Sequence, residues 1–365
     1  MKKIGIICEY NPFHNGHLHH INEIKKKYPD SIIILVLNGY FLQRGEISLI
    51  SKYDKCKIAL ENNVDIILEL PVLFGTQSAD TFAYKSVELL NNFNVDKIIF
   101  GSESNDISYL TNLAKLSLDR HNDENIKEYL DKGYNYPTAL AKVLNVNKEL
   151  PSNDLLGISY IKAILQINNK IEPETIQRTN NYLDNSLDDN IVSASNIRER
   201  INKMEDISKY IPNNVNKYIN KIDEELYFNL IKLEVINNNH LDSILDVDEG
   251  IENRLKEIVL KVNNITDLVE SIKTKRYTYN KVRRMLIHIL LNIKKEDATL
   301  PLDYIHIIGF SSQGKNYLNK NKIHYLVNKK SIVYNYEIKA SIIYDMLAKT
   351  QEYNKELSNK PIIMK

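Results

Sequence analysis

Short apolar runs alternate with amphipathic segments through the N-terminal part of the chain. Uninterrupted apolar runs bounded by turn residues are typical of strands buried in a parallel sheet. Such runs occupy residues 4–7, 31–37, 64–70 and 95–100. Amphipathic patterns predict helices that begin near Gly16 and span residues 52–62 and 78–90. This alternation predicts an α/β fold with a Rossmann-like parallel sheet covered on both faces.

The pattern is less regular between residues 107 and 178. It predicts helices over 107–150, broken at Gly133 and Pro137. Another helix is predicted over 155–167, with Ser152 or Asn153 as its N-cap. Residues 171–178 can form a last strand, which Pro173 restricts to its own beginning or to a sheet edge.

From about residue 205 the pattern predicts mostly helices. They span residues 224–236, 250–262, 265–271, 279–293 and 336–348, with a strand-like run at 302–310. A chain of 365 residues is long enough for two domains. We predict a Rossmann-like domain over residues 1–205 and a mainly α-helical domain over residues 206–365.

The charge balance excludes a strongly basic or acidic field over the whole surface. Lys and Arg total 48 against 47 for Asp and Glu, so any nucleic-acid contact requires a local patch. The two cysteines, Cys8 and Cys56, indicate no disulfide framework and favour a reducing compartment. No signal peptide is expected before the first strand, and the apolar runs are too short to cross a bilayer. We therefore expect a cytoplasmic protein with no membrane partner.

The residues after the first strand are suited to binding a phosphate. Asn11-Pro12 provides a turn, and the helix that follows presents free N–H groups and the positive end of its dipole. The segment His14-Asn15-Gly16-His17 places two imidazole donors there, and Gly16 leaves room for a ligand. From the pattern alone, His19 and His20 are expected on the helix surface. A surface histidine cluster and a metal site are the alternatives, although no cysteine or carboxylate stands at ligand spacing.

Two motifs resemble the signatures of the HxGH nucleotidyltransferase superfamily, whose members attack the α-phosphate of a nucleoside triphosphate. The first is H-x-G-H directly after the first strand. The second, usually written I-S-S-T-x-I-R, is resembled by residues 191–198, where Ala194 replaces the middle serine and Ser195 the threonine. Ser195 is expected to cap a helix, and Arg198, one turn into that helix, to reach a triphosphate held at the same N-terminus. An ordinary capped helix with a solvated arginine is the alternative.

A cationic segment at residues 273–284 is the candidate for nucleic-acid binding. Its cations are Lys273, Lys275, Arg276, Lys281, Arg283 and Arg284. Tyr277 and Tyr279 lie among them, and this mixture suits contacts with a phosphate backbone and stacking on exposed bases. A solvated helix face is the alternative.

Several further strings point to one family. They are residues 8–17 (CEYNPFHNGH), 43–46 (QRGE), 69–71 (ELP), 77–80 (QSAD), 100–103 (FGSE) and 275–278 (KRYT). Together they resemble the bacterial tRNA(Met) cytidine acetate ligase family. The resemblance implies that ATP and acetate give acetyl-adenylate and pyrophosphate, and that the acetyl group passes to N4 of the wobble cytidine of elongator tRNA(Met). It also implies that residues 1–205 form the nucleotide-binding catalytic domain and residues 206–365 the tRNA-binding domain.

The resemblance also implies a set of ATP-binding residues. They are Ile7, Cys8, Glu9, Tyr10, Asn11, Pro12, Phe13, His14, Asn15, Gly16, His17, His20, Gly101, Asn153 and Arg178, to which the second signature adds Ser195 and Arg198. We expect His14 and His17 to be catalytic, with Arg178 helping to offset the repulsion between acetate and the α-phosphate. Mg²⁺ is expected on the phosphates, and no resident metal is expected. Glu9 and Glu103 are candidate proton acceptors for the cytidine N4, with ribose-binding or surface roles as alternatives.

Two other functions use the same signatures. A small-molecule adenylyltransferase would join AMP to a phosphorylated acceptor and would need neither the helical half nor the cationic segment. A non-catalytic nucleotide- or RNA-binding protein would retain the sheet but would be indifferent to loss of His14.

Overall fold

The fold is organised around one seven-stranded sheet. The computed structural model describes residues 1–134, 136–144, 150–178, 190–323 and 327–364. The strands are β1 (Lys3–Cys8), β2 (Ile32–Asn38), β3 (Ile66–Leu70), β4 (Lys97–Ser102), β5 (Glu172–Gln177), β6 (Ile307–Ser311) and β7 (Ile362–Met364). They are ordered β5-β4-β1-β2-β3-β6-β7, and β1 to β5 pair in parallel. The predicted α/β class with a Rossmann-like sheet is confirmed.

Helices connect the strands and form most of the C-terminal half. Those up to residue 202 are α1 (Asn15–Lys27), α2 (Lys52–Glu61), α3 (Val72–Gly75), α4 (Ala79–Asn92), α5 (Ile107–Ser117), α6 (Arg120–Asp131), α7 (Tyr136–Val143), α8 (Ser152–Ile167) and α9 (Ala194–Asn202). Those that follow are α10 (Glu224–Asn237), α11 (Ile251–Ile258), α12 (Ile265–Ile272), α13 (Tyr279–Leu291), α14 (Ser312–Lys320), α15 (Ile332–Ala348) and α16 (Glu352–Ser358). Residues 145–149, within the predicted helical stretch 107–150, lie outside the described residues. Among the described helices, none has both the length and the hydropathy required for a membrane span.

The predicted strands agree with the observed sheet, and the prediction for β5 shows why. Within the described part of the chain β5 pairs with β4 alone, from Glu172 opposite Lys97 to Gln177 opposite Ser102, so it lies at the sheet edge. Pro173 lacks the N–H that an interior strand would need, and an edge strand tolerates that loss.

Two strands of the sheet come from the far end of the chain. β6 runs antiparallel to β3, with Ile66 opposite Phe310, and β7 pairs in parallel with β6. Gly309 in β6 permits close packing of α2 on the sheet, because a Cβ there would lie 2.5 Å from the sulfur of Cys56 in α2. The division at residue 205 remains a prediction about folding units; the sheet itself includes residues from both sides of it.

Successive side chains of β2 point to opposite faces of the sheet, and both faces are covered, which explains why its sequence is apolar without interruption. Ile34 and Val36 pack on one face of the sheet with residues of α4 and α8, whereas Ile33 and Leu35 pack on the other with residues of α1, α2 and α9. Both faces are covered, so both sets of side chains are buried. Helices α10 to α13 extend the first of these two cores.

A buried ionic cluster attaches the C-terminal helices to the sheet. The Lys52 ammonium in α2 contacts the carboxylates of Glu69 in β3, Glu337 in α15 and Glu356 in α16, and all four residues are buried. Burial opposes ionisation of Glu69, but Lys52 and a hydrogen bond from His306 outweigh it and hold the pKa of Glu69 well below its usual range. Glu69, His306 and Glu356 lie close enough to share a metal ion. However, the Lys52 ammonium already lies against two of these carboxylates and supplies the positive charge.

Candidate nucleotide site

A cavity of about 420 Å³ opens at the carboxyl edge of the sheet. The ends of β1, β4 and β5 form its floor, and the first turns of α1, α8 and α9 converge on it. In parallel sheets ligands bind at this edge, and three helix N-termini favour an anion there. The geometry of this edge is therefore suited to binding an anion such as phosphate.

His14 and His17 together cap α1. His14 is the N-cap residue, and its Nδ1 accepts a hydrogen bond from the Gly16 N–H at 3.0 Å. The Nδ1 of His17 accepts from the His14 N–H at 3.2 Å, and the two ring centroids lie 3.9 Å apart. Because both Nδ1 atoms accept, each neutral ring carries its proton on Nε2. Both rings line the cavity, so each contributes one fixed N–H donor.

The histidines are held neutral. Burial, reinforced by Arg178 and Arg198, lowers the pKa of His14 to about 3. Burial, His14 and Arg178 also lower the pKa of His17 well below its usual range. The permanent positive charge of the site therefore lies on the arginines, and the imidazoles act as hydrogen-bond donors.

His20 differs from the prediction made from the helical pattern. It lines the cavity, its Nε2 atom is buried, and burial together with His19 and Arg178 lowers its pKa to about 4. The surface position expected for His20 is therefore wrong, and its position agrees with the ATP-binding role implied by the family resemblance.

Arg178 enters the site directly after β5. Its backbone N–H donates to the Ser102 carbonyl at 3.0 Å, which continues the pairing of β5 with β4. A Cβ at Gly101 would lie 3.3 Å from Arg178 Cγ. The glycine thus leaves space for the arginine side chain to cross the strand end.

Glu103 organises the start of α8. Its carboxylate accepts from Asn153 Nδ2 at 2.5 Å and from the Asp154 N–H at 3.2 Å, and lies 3.9 Å from Arg178 Nε. Pro151, not Ser152 or Asn153, is the N-cap residue, so that prediction is wrong. Glu103 takes over part of the capping because its carboxylate reaches the free N–H groups of the first turn.

Glu9 also has a structural task. One of its oxygens accepts from the Gln43 N–H at 2.7 Å and from Asn38 Nδ2 at 3.0 Å, which ties the loop after β2 to the end of β1. Nearby, the Lys55 ammonium donates to the carbonyls of Glu9, Asn38 and Gly39, at 3.0, 2.6 and 2.7 Å. The carboxylate oxygen Oε1 of Glu9 is therefore already engaged by the donors of Gln43 and Asn38.

The helix of the second signature, α9, begins two residues earlier than predicted. Ser193 is the N-cap, and its Oγ accepts from the Asn196 N–H at 3.2 Å. Ser195 lies inside the first turn, with its Oγ 3.0 Å from that of Ser193, so its predicted capping role is wrong. Arg198 lines the cavity, and donates to the Asn11 carbonyl at 2.8 Å and to Glu46 Oε1 at 2.9 Å.

Comparison with known proteins agrees with this geometry. A family model described as HIGH Nucleotidyl Transferase matches residues 1–360. A tRNA(Met) cytidine acetate ligase of Fusobacterium nucleatum subsp. nucleatum is 39% identical, with 96% of this chain and 93% of the relative covered. Another, from Geobacillus sp. (strain WCH70), is 38% identical with 100% of both chains covered. The chain belongs to the tRNA(Met) cytidine acetate ligase family of HIGH nucleotidyl transferases.

A solved structure extends the comparison to the nucleotide. Thermotoga maritima TmcAL bound with alpha-thio ATP is similar to this chain with a TM-score of 0.85 and 28% sequence identity, over 100% of both chains. The apo form of the same Thermotoga protein gives a TM-score of 0.87. The fold of this acetate-ligase family member therefore matches that of a protein that binds an ATP analogue.

Most of the residues predicted for the nucleotide site come together. Those that line the cavity are Ile7, Cys8, Glu9, Tyr10, Asn11, His14, Gly16, His17, His20, Gly101, Asn153, Arg178, Ser195 and Arg198. Pro12, Phe13 and Asn15 are not among the lining residues. Phe13 is buried in the core, and Asn15 Nδ2 donates to the carbonyls of Asn190 and Lys209 at 2.8 and 3.0 Å. The side chains of Phe13 and Asn15 therefore hold the loop after β1 in place without lining the cavity.

Other members of the lining were not predicted. An apolar wall consists of Ala79, Phe82, Phe100, Leu155, Leu156 and Tyr160. Its apolar pattern is that of ordinary core positions, and nothing in the sequence separates a core side chain from one beside a cavity. Gln43, Arg44 and Glu46 also line it; the string QRGE signalled the family but carried no predicted role.

The cationic segment lies beside this site, because Asn280 in α13 lines the cavity. Two of its residues do not have the expected exposure. Tyr277 is buried and its hydroxyl donates to the Asp248 carbonyl at 2.7 Å, so the expected base stacking on Tyr277 is wrong. The Arg284 side chain is only 13% exposed and lies 3.8 Å from Asp246. Tyr279 is 37% exposed and can stack.

Proposed function

We propose that the chain is an ATP-dependent ligase that acetylates N4 of the wobble cytidine in elongator tRNA(Met). The observation that carries the proposal is the match over nearly the whole chain to relatives named tRNA(Met) cytidine acetate ligase. A TmcAL structure with bound alpha-thio ATP supports the nucleotide part. The paired histidine donors and arginines at the carboxyl edge of the sheet supply the chemistry that such a reaction requires.

In the first step, an acetate oxygen attacks the α-phosphorus of ATP, and pyrophosphate leaves with the electrons of the broken P–O bond. Two anions must meet, so the site has to offset their repulsion. Arg178 and Arg198 supply fixed positive charge, and His14 and His17 each supply an Nε2–H donor. The N-terminus of α1 adds its partial positive charge.

Mg²⁺ enters this scheme with ATP. Of the carboxylates that line the cavity, Glu9 binds the loop after β2, and Glu46 binds Arg198 and Asn11. Both carboxylates are engaged by protein donors, whereas Mg²⁺ is commonly held by substrate phosphates and water. We therefore treat the ion as part of the MgATP substrate.

In the second step, cytidine N4 attacks the acetyl carbonyl carbon, AMP leaves, and N4 loses one proton. The RNA would approach from α13, since Asn280 reaches the cavity and cations flank it. We propose Lys273, Lys275, Arg276, Lys281 and Arg283 as phosphate contacts, and we omit Arg284 because it is mostly buried.

The test is incubation of the purified protein with ATP, Mg²⁺, labelled acetate and total tRNA, followed by nucleoside analysis. The proposal predicts label in N4-acetylcytidine that depends on ATP and is lost in His14→Ala. Label absent from tRNA despite bound ATP would contradict it, and AMP transfer to a phosphorylated small molecule would then indicate an adenylyltransferase.

A further inference from the structure

Glu46 lies where three parts of the molecule meet. Its Oε1 atom accepts from Arg198 Nη2 at 2.9 Å and lies 3.7 Å from Arg283 Nη1. Its Oε2 atom accepts from Asn11 Nδ2 at 3.3 Å. These contacts join α9, α13 and the loop after β1 through one carboxylate, whose side chain is only 17% exposed.

The loop that carries Glu46 is seated on the backbone of α13. Gly45 has a φ of +73°, and a Cβ there would lie 2.5 Å from the Arg283 carbonyl carbon and from the Arg284 nitrogen. The Leu42 N–H donates to the Glu46 carbonyl at 2.9 Å, and the Gly45 N–H to the Leu42 carbonyl at 2.9 Å. Glycine is required by both the conformation and the close approach, so the position of Glu46 relative to α13 is narrowly defined.

Two guanidinium groups share one oxygen of this carboxylate. Arg198 is further fixed by its hydrogen bond to the Asn11 carbonyl at 2.8 Å, whereas Arg283 makes the longer contact with Glu46. Without the negative charge, the two cations would face each other uncompensated at a partly buried site. Of these two arginines, Arg198 lines the nucleotide cavity, so its displacement would affect phosphates bound there.

We propose that Glu46 is a positioning residue that holds Arg198 for acetate activation by separating it from Arg283. The inference rests on the proposed function, because that function names the step that Arg198 serves. The carboxylate supplies two things, a hydrogen-bond acceptor for Arg198 and a negative charge between two arginines. A pair of substitutions separates them.

Glu46→Gln keeps the shape and one acceptor oxygen but removes the charge, whereas Glu46→Ala removes both. In acetate-dependent exchange of labelled pyrophosphate into ATP, we expect kcat/KM for ATP to fall about tenfold in Glu46→Gln and further in Glu46→Ala. The KM for acetate should stay within about twofold, because the proposed function assigns Arg198 to the phosphates.

The decisive comparison adds Arg283→Gln to each variant. If Arg283 displaces Arg198 when the charge is gone, Glu46→Gln/Arg283→Gln should recover most of the lost exchange, and Glu46→Ala/Arg283→Gln should not. Loss of packing at the loop would give no such difference. Glu199→Gln is the matched control, because it neutralises an exposed carboxylate in the same helix, 2.6 Å from Lys203, and should leave exchange unchanged.

Wild-type exchange in Glu46→Ala, or no recovery when Arg283→Gln is added to Glu46→Gln, would overturn the inference. Failure of the proposed function has a different signature, namely no acetate-dependent exchange in the wild-type protein. In that case the variants can be compared by their dissociation constants for MgATP. If Glu46 positions Arg198, MgATP binding should weaken in Glu46→Gln and weaken further in Glu46→Ala. An unchanged dissociation constant in Glu46→Ala would contradict the inference.

Discussion

At the scale of single residues, the hydrogen-bond donors of the site depend on which ring nitrogen of each histidine carries the proton. His14 and His17 were identifiable from the H-x-G-H spacing, because a histidine pair after a buried strand matches a known phosphate site. Their neutral charge was not predictable, because it results from burial and from Arg178, which lies far away in the sequence. The neutral charge of His20 was not predictable either, because the helical pattern placed His20 on the surface, whereas burial lowers its pKa.

The lowered histidine pKa values make stability depend on pH. Since burial lowers the pKa of His20 from 6.5 to about 4, the unfolded chain binds a proton between these pH values that the folded protein does not. Titration of His20 therefore does not affect the free energy of unfolding above pH 6.5, and lowers it as the pH falls from 6.5 to about 4. We expect His20→Gln to reduce the slope of unfolding free energy against pH by roughly 1.4 kcal/mol per pH unit in this window.

Urea unfolding measured at several pH values checks this expectation. The exposed His240 provides the matched control, and His240→Gln should leave the slope as in the wild type. Equal slopes for His20→Gln and the wild type would show that His20 titrates normally in the folded protein.

At the scale of elements, the strands and most helices followed from apolar periodicity, but their capping residues did not. Ser193 and Ser195 are both suitable N-cap residues. Ser193 is the N-cap because its backbone is extended (φ −68°, ψ 153°) and the helix begins at the next residue. Likewise, the cationic segment was evident from composition, whereas the inward orientation of Tyr277 and Arg284 required knowledge of the packing of α13.

The cationic segment provides a prediction for RNA binding. Replacing Lys275 and Lys281 together with Gln should weaken tRNA binding and lower the slope of log affinity against log salt by about 1 to 2, because each lysine that contacts a phosphate releases one counterion. Titrations at several salt concentrations measure this slope. Lys132 and Lys203 lie in exposed pairs with Glu128 and Glu199, and their double replacement by Gln should leave it unchanged. A wild-type slope in the Lys275 and Lys281 variant would place the RNA elsewhere.

At the scale of the whole molecule, the class of the fold was predictable but the order of its strands was not. An apolar run indicates a buried strand without naming its neighbour, so the antiparallel pairing of β6 with β3 could not be inferred from the sequence. The ionic cluster around Lys52 was equally hidden, since its members are spread from residue 52 to residue 356.

This cluster predicts a strong dependence of global stability on Lys52. Lys52→Met keeps the length of the side chain but leaves buried carboxylates without their cation, which should lower the free energy of unfolding by about 3 to 5 kcal/mol. Lys57→Met is the control in the same helix. The Lys57 side chain is 39% exposed and its ammonium pairs with Asp54, so the substitution should cost less than about 1 kcal/mol. Denaturant titration measures both, and equal losses would contradict the importance of the cluster.

The most direct test of the account is acetate-dependent exchange of labelled pyrophosphate into ATP without tRNA. Exchange should require acetate, and His17→Ala should reduce it by about 100-fold or more because a fixed donor to the α-phosphate is lost. The same variant should bind tRNA as the wild type does, and His240→Ala should exchange normally. Acetate-independent exchange, or undiminished exchange in His17→Ala, would contradict the claim that this site activates acetate.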